Sequence, residues 1–371
     1  MRLGHIRRFR LVLLACGLAL LALSAQKKKK EEETQSLQVP KDLPVALVGD
    51  TRRLTFHVTP LTNKGLLSPQ IRDSLKALAH ETGSDTVLKI RAFVAGSGDV
   101  RRVRDLVSEA FADRRLPLPV LSLVRSGGLP MEGAQVVLES ISQSKKEVNP
   151  NGLAFLSGQV AAGPDPAAPV AQLTSQSLTA LRQEVKAAGA EPLDVLRVTC
   201  FLSSLEDVAA SRQLVEAEYP HAEHNYVQTQ RAPGRAVAAC EAVARLRSTP
   251  AARLSFAAVQ GQTAEAGQSS VALVGAQQVL LTGTQISFGY QEQDSRLAFD
   301  RLKKELEQSG VAPRDVAFAH YYPLSSAIAA QVRKLREEVF DPLHPPAGTM
   351  LLFEGLPSMD AGFAVDVVAV K

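Results

Sequence analysis

Tryptophan is absent from the 371 residues, and aromatic side chains make up only 5% of the chain. Base-stacking platforms and aromatic cages are therefore poorly supplied. Three cysteines are too few for a disulfide framework or a Cys-rich zinc module. With 24 Gly and 21 Pro the chain is neither collagen-like nor of low complexity. Its 45% hydrophobic and 22% charged residues exclude a wholly disordered protein. Charge of one sign is also scarce. The formal +4 comes from 42 basic and 38 acidic groups, and Arg2, Arg7, Arg8 and Arg10 lie in a 24-residue stretch without Asp or Glu. Without those four the balance is 38 against 38. A nucleic-acid binder keeps a basic excess, so nucleic acid is not an expected partner.

One long apolar run is present, residues 11–23. With the arginines before it and Ala22 and Ser24 after it, residues 1–25 read as an export signal peptide cleaved before Ala25. The rival is an uncleaved N-terminal anchor. The run is shorter than the roughly 20 residues of a span, and Lys27 to Lys30 follow at once. The expected location is exported, periplasmic or secreted, with no membrane attachment after cleavage. Residues 26–40, rich in Lys and Glu, read as a charged linker. Cys200 and Cys240 remain beyond the leader, as a pair in an oxidising compartment or as two separate buried thiols.

The rest of the chain repeats an order of elements three times: strand, helix, strand, helix, strand, strand. In the middle copy residues 152–160 are an apolar strand. Val170, Leu173, Leu181 and Val185 then mark a helix face, and Gly189 ends that helix. Residues 194–202 predict a strand, Ser204 and Asp207 a capping-box variant opening the next helix, and residues 225–230 and 236–246 the last strands. The first copy runs through residues 53–60, a helix opened by Ser68-Pro69, residues 86–96, a helix carrying Val103 to Phe111, and residues 120–125 and 134–142. The third reads residues 278–288, a helix through Leu297 to Leu306, residues 315–322, a helix from Ile328 to Val339, and residues 349–353 and 363–370. Each copy has a step ending in Pro before its last strand: Leu129-Pro130, Ala232-Pro233 and Leu356-Pro357. Each last strand carries one acid, Glu139, Glu241 and Asp366, placed 10, 9 and 10 residues after the first residue of the step. A period near 100 residues is a repeat of domains. The boundaries read 41–147, 148–250 and 251–371.

At these residues the chain resembles the RidA/YjgF family of enamine/imine deaminases. Ser157-Gly158-Gln159, Gln172 to Gln176, Ala232-Pro233 and Glu241 carry the likeness in the second copy. Thr282-Gly283-Thr284-Gln285, Pro346-Ala347, Leu356-Pro357 and Asp366 carry it in the third, and Leu129-Pro130 with Glu139 in the first. The resemblance implies an α+β fold, each repeat a mixed β-sheet with two helices on one face. The family forms homotrimers with ligand clefts between subunits, so three copies in one chain imply a monomeric, intramolecular pseudo-trimer. Its uncovered sheet faces would pack together.

The family grips a substrate carboxylate with an arginine eight residues before the Leu of its Leu-Pro step, a two-pronged charged contact. Here that count gives Leu121, His224 and Gly348. An aliphatic chain and a glycine offer no donor, and an ordinary imidazole is mostly neutral at pH 7. The expectation is a tandem RidA-like protein without standard imine deaminase activity, whose clefts bind a small ligand or serve as a scaffold. Leu121, His224, Gly348, Glu139 and Asp366 are its candidate ligand-binding residues. The alternative is a hydrolase for enamines or imines of the 2-iminopropanoate type, with an altered anchor and Glu241 and His224 as catalytic residues. Arg125, Arg231 and Arg235 read as solvated strand-end or loop residues. His221 and His224 follow Pro220 in a loop, so neither a metal nor another cofactor is expected.

Overall fold

A computed structural model describes residues 41–96, 98–259 and 267–371. The leader and linker readings lie outside the described residues. Residues 41–371 form one compact unit. The chain enters through β1 (Ala46–Asp50) and β2 (Leu54–Val58), then α1 (Leu67–Thr82), β3 (Thr86–Val94), α2 (Arg101–Asp113), β4 (Val120–Arg125) and β5 (Val136–Gln143). It continues with β6 (Leu153–Gly163), α3 (Val170–Ala187), β7 (Val195–Leu202), α4 (Val208–Glu218), β8 (Glu223–Gln228) and β9 (Ala236–Arg245). The last part holds β10 (Leu254–Ala257), β11 (Val271–Val274), β12 (Gln278–Thr282), β13 (Gln285–Phe288), α5 (Glu292–Gln308), β14 (Val316–Pro323), α6 (Ser326–Val339), β15 (Ala347–Met350) and β16 (Ala361–Val370). The fold is mixed α+β, as the resemblance implies.

The strands form three sheets. In the first, β2, β5, β3 and β4 pair antiparallel, antiparallel and parallel. The second has the same pairing in β6, β9, β7 and β8. In the third, β12 and β13 both pair with β16, followed by β14 and the parallel β15. Two additions cross the expected boundaries. Strand β1, at the start of segment 41–147, pairs with β12 of the third sheet. Strands β10 and β11, at the start of segment 251–371, extend the second sheet at β6. One edge of the second sheet and one of the third are thereby extended by chain from another segment.

Period-two alternation then decides what each sheet buries. On β3, Ile90, Ala92 and Val94 face α1 and α2, in a core with Ile71, Leu75, Leu78 and Phe111. The intervening Lys89, Arg91 and Phe93 face the other way, as do Thr199 and Phe201 on β7 and Phe318, His320 and Tyr322 on β14. The helix-free faces of all three sheets share two apolar layers. One gathers Phe56, Phe155, Val243, Phe318 and Val368. The other gathers Phe93, Phe201, Tyr322 and Phe353. Two local readings change in detail. The run 278–288 divides at Gly283, whose N–H goes to the carbonyl of Val45. Asp207 is the N-cap of α4 without capping it; its carboxylate accepts instead from the Ala171 N–H in the first turn of α3. Gly189 follows α3 with φ +68°, a conformation that favours glycine.

One buried carboxyl lies outside the shared faces. Glu184 on α3 is fully buried, bonded through Oε1 to the side-chain amide of Gln159, and its Oε2 has no partner. Burial pushes its carboxyl well above the ordinary glutamate value near 4.5. A raised folded value favours the protonated form, so this contribution is complete below pH 4.5 and is lost as pH rises. Glu184→Gln keeps the amide contact without the charge. It is expected to raise stability at pH 8 by about 1 kcal/mol or more and to leave it unchanged at pH 4. Urea midpoints at the two pH values check this.

Candidate functional site: a buried charge cluster and the clefts around it

Between the two apolar layers the three acids of the last strands come together. Glu139, Glu241 and Asp366 are almost wholly buried. Register sets their partners: Arg91 lies opposite Glu139, Thr199 opposite Glu241 and His320 opposite Asp366. Arg91 donates from Nε to Glu139 at 2.7 Å and from Nη2 to Glu241 at 2.6 Å. Glu139 also accepts from Thr199 and from Asn225, each at 2.7 Å, with Arg197 3.4 Å away. Asp366 accepts from Lys89, from Ser122 at 2.9 Å and from Tyr322 at 3.0 Å. His320 lies between Asp366, 3.0 Å from Nδ1, and Glu241, 3.2 Å from Nε2. Every sheet is thus tied to the other two, the first by ion pairs to both and the second to the third through His320.

Burial alone pushes each of these carboxyls up. Arg91 and His320 outweigh it for Glu241, and Lys89 and His320 for Asp366, so both stay ionised far below the usual carboxylate range. Arg197 and Arg91 outweigh it for Glu139 too, whose carboxyl lies below the ordinary glutamate value. Burial pulls Lys89 below the ordinary lysine value despite Asp366, whereas for Arg91 the two glutamates outweigh burial and raise it further. The acids are held as anions whose oxygens are largely engaged by fixed donors. That arrangement suits a structural junction better than a general acid or base, which needs a proton it can exchange.

The three arginine-equivalent positions lie elsewhere, on the faces turned from the cluster. Leu121 lines a cavity of about 460 Å³ between β4 and the segment 283–288, with Arg101 and Arg104 of α2 also in its wall. Those two arginines pair with Asp99 and Asp42. The ring of His224 contacts the Tyr219 carbonyl through Nε2 at 2.8 Å. Gly348 is covered: its N–H donates to the Ser157 hydroxyl and its carbonyl accepts from Gln268. A Cβ at Gly348 would lie 2.5 Å from the Ala319 carbonyl oxygen, so a side chain there requires a backbone shift. The structure brings Glu139, Glu241 and Asp366 together but does not draw Leu121, His224 or Gly348 into their cluster.

The loop arginines divide. Arg125 is half-buried and donates to the Gly98 carbonyl, while Arg231 reaches the Gly127 carbonyl from solvent. Arg235 lines a second cavity, of about 400 Å³, with Arg333 and Met350 to Leu352. Among the described residues no three His, Cys, Asp or Glu side chains gather as a metal-ligand set. Cys200 and Cys240, opposite each other on β7 and β9, form a disulfide. Sequence reasoning missed Lys89, Arg91, Arg197 and His320. The signal was available: acids in apolar strands need buried partners, and these cations occupy matched places in the adjacent strands.

Residues 135–248 match the model of the Endoribonuclease L-PSP family. No curated protein matches the chain. Similar solved structures include a Rid family protein from Yersinia pestis, 15% identical, covering 32% of this chain and 100% of its own, with a TM-score of 0.29. A YjgF/YER057c/UK114 family member from Mycobacterium tuberculosis is 17% identical over 32% of this chain and 99% of its own, with a TM-score of 0.24. A YjgF family member from Neisseria meningitidis is 14% identical over 32% and 94%, with a TM-score of 0.23. The family match covers β5 to β9, the stretch that holds Ser157-Gly158-Gln159, Ala232-Pro233 and Glu241, and by it the chain is recognised as similar to the RidA/YjgF family.

Proposed function

We propose that this is an exported protein of three tandem RidA-like units. In this reading they close on themselves as a pseudo-trimer, lack standard imine deaminase activity, and bind a small ligand in the clefts between units. One observation carries the loss of chemistry. Where the family places its carboxylate-gripping arginine, this chain offers a leucine, in a cleft wall whose arginines Arg101 and Arg104 are paired with Asp99 and Asp42, a histidine engaged by a backbone carbonyl, and a glycine at which a side chain requires a backbone shift. A desolvated substrate carboxylate left without a donor costs at least about 1–3 kcal/mol. The repeated sheet pairing supports the tandem reading, and the Cys200–Cys240 bridge supports an oxidising compartment. Cavities of about 460 and 400 Å³ are of the size that holds small molecules. The neutral charge balance outside the leader argues against RNA as substrate.

The test is ammonia release from freshly generated 2-iminopropanoate. The expected rate equals that of buffer, for the parent chain and for His224→Ala alike. Release above buffer that disappears in His224→Ala would establish the altered-anchor deaminase instead. Light scattering on the mature protein is expected to give the mass of one chain, and a trimer of whole chains would defeat the self-closing arrangement.

A further inference from the structure

The cavity beside Leu121 takes its walls from two segments of the chain. Leu121 and Leu123 stand two apart on β4, and Ile286 and Phe288 two apart on β13, so each strand turns one row of side chains toward the space. Leu43 and Pro44, just before β1, add to the apolar wall. Thr284, Gln285 and Ser358 supply neutral polar groups in the same lining. At about 460 Å³ the space is about three times a cavity of about 150 Å³ that takes up one benzene, and it lies within the range of small-molecule sites.

Three charged residues of α2 complete the lining, Arg101, Arg104 and Asp105, and each already has a partner of opposite sign on the protein. Arg101 lies 3.1 Å from Asp99, Arg104 3.1 Å from Asp42, and Asp105 3.4 Å from Arg102. The side chains of Arg101 and Arg104 are 77% and 55% exposed, whereas Leu43 and Leu123 are buried. The charges therefore belong to the solvent side of the wall and are compensated there. A charged head group entering the space would leave water for mainly apolar surroundings with no unpaired counter-ion to receive it, which costs free energy. An apolar body gains about 25 cal/mol for each Å² it hides from water.

We propose that this cavity binds a neutral, mainly apolar small molecule, its body against Leu121, Leu123, Ile286 and Phe288 and its polar group toward Thr284, Gln285 or Ser358. The assignment deepens the cleft-binding reading above and rests on it, naming both the cleft and the ligand class. The competing ligand is an apolar carboxylate that draws Arg101 or Arg104 away from its aspartate, since exposed ion pairs hold only weakly. The apolar body is common to both, so the head group decides.

Calorimetric titration of the protein with 4-phenylbutanamide and 4-phenylbutanoate, which share a shape and differ in charge, separates the two. The amide is expected to bind at one site, about tenfold or more tighter than the carboxylate. Phe288 is half exposed, so it can be cut back with little risk to the fold. Phe288→Ala is expected to weaken the amide by about fivefold or more. Leu121→Arg is expected to reverse the order of the two probes; should that variant fail to fold, Phe288→Ala and the comparison on the parent protein decide. Tighter binding of the carboxylate to the parent, or amide binding that Phe288→Ala leaves unchanged, overturns the assignment while the cleft-binding reading stands. Absence of heat with either probe also overturns it. The cleft-binding reading falls separately, if crystals soaked in a mixed set of small molecules leave the cavities of about 460 and 400 Å³ both empty.

Discussion

Arg91→Met is expected to destabilise the protein by about 3–5 kcal/mol at pH 7, because it strands two carboxylates at once. Arg91 is 3% exposed and binds Glu139 and Glu241 together. Methionine keeps much of the volume, so the loss reads charge and not cavity. The pH dependence makes the assignment specific. In the parent protein these acids have folded values below their unfolded ones. Their contribution is complete above the unfolded value near 4.5 and is lost as pH falls toward the folded values. In Arg91→Met burial acts on them with far less opposition, which raises their folded values and reverses the sign. The deficit should therefore shrink between pH 7 and pH 4, as both acids take up protons more readily in the folded chain. Urea denaturation across that range measures it. Arg102→Met, which removes exposed pairs with Asp105 and Glu109, is the control and should cost under about 1 kcal/mol. A deficit at Arg91 no larger than the control's, or one that grows on acidification, would remove the cluster from the account of what joins the sheets.

The order of elements was legible because each is written in its own period. The spacing of Ile71, Leu75 and Leu78 predicts the buried face of α1, and residues 120–125 predict β4 to its ends. Strands β1, β10 and β11 were not legible. They are short, four or five residues, and β1 and β11 find sheet partners in another segment of the chain, so nothing local announces how they join those sheets. The acids Glu139, Glu241 and Asp366 were visible as anomalies in apolar strands. Their destination was not, because it depends on how three sheets face one another. A single sheet read alone leaves its helix-free face without a partner and its acid without a cation. A stretch such as residues 86–94, with Lys89 and Arg91 among apolar residues, records the other half of that junction. Charged buried networks are often no more stable than apolar packing of equal volume. The cluster is better understood as fixing which face meets which: Lys89 and Ser122 serve the third sheet's acid, Arg91 the second's, and Thr199 and Asn225 the first's. Apolar layers alone would not distinguish those pairings, since Phe and Val accept one another in any order.

Reducing the bridge between Cys200 and Cys240 is expected to lower stability by about 2–4 kcal/mol. The two cysteines are directly opposed on β7 and β9, both fully buried, and separated by 40 residues of chain that hold α4 and β8. Closing a loop of that length removes roughly 4 kcal/mol of chain entropy from the unfolded state, and native-state effects reduce the gain. Reduction with a phosphine in otherwise identical buffer changes no residue, so the shift in urea midpoint reports the bridge alone. The same sulfurs test the proposed compartment. Protein recovered after export should show no reactive thiol in denaturant without reductant, whereas protein made in a reducing cytoplasm should show two from this pair. Two free thiols in the exported protein, or a midpoint insensitive to reductant, would mean that the opposed cysteines remain separate and that oxidative closure has no part in holding α4 and β8 against their sheet.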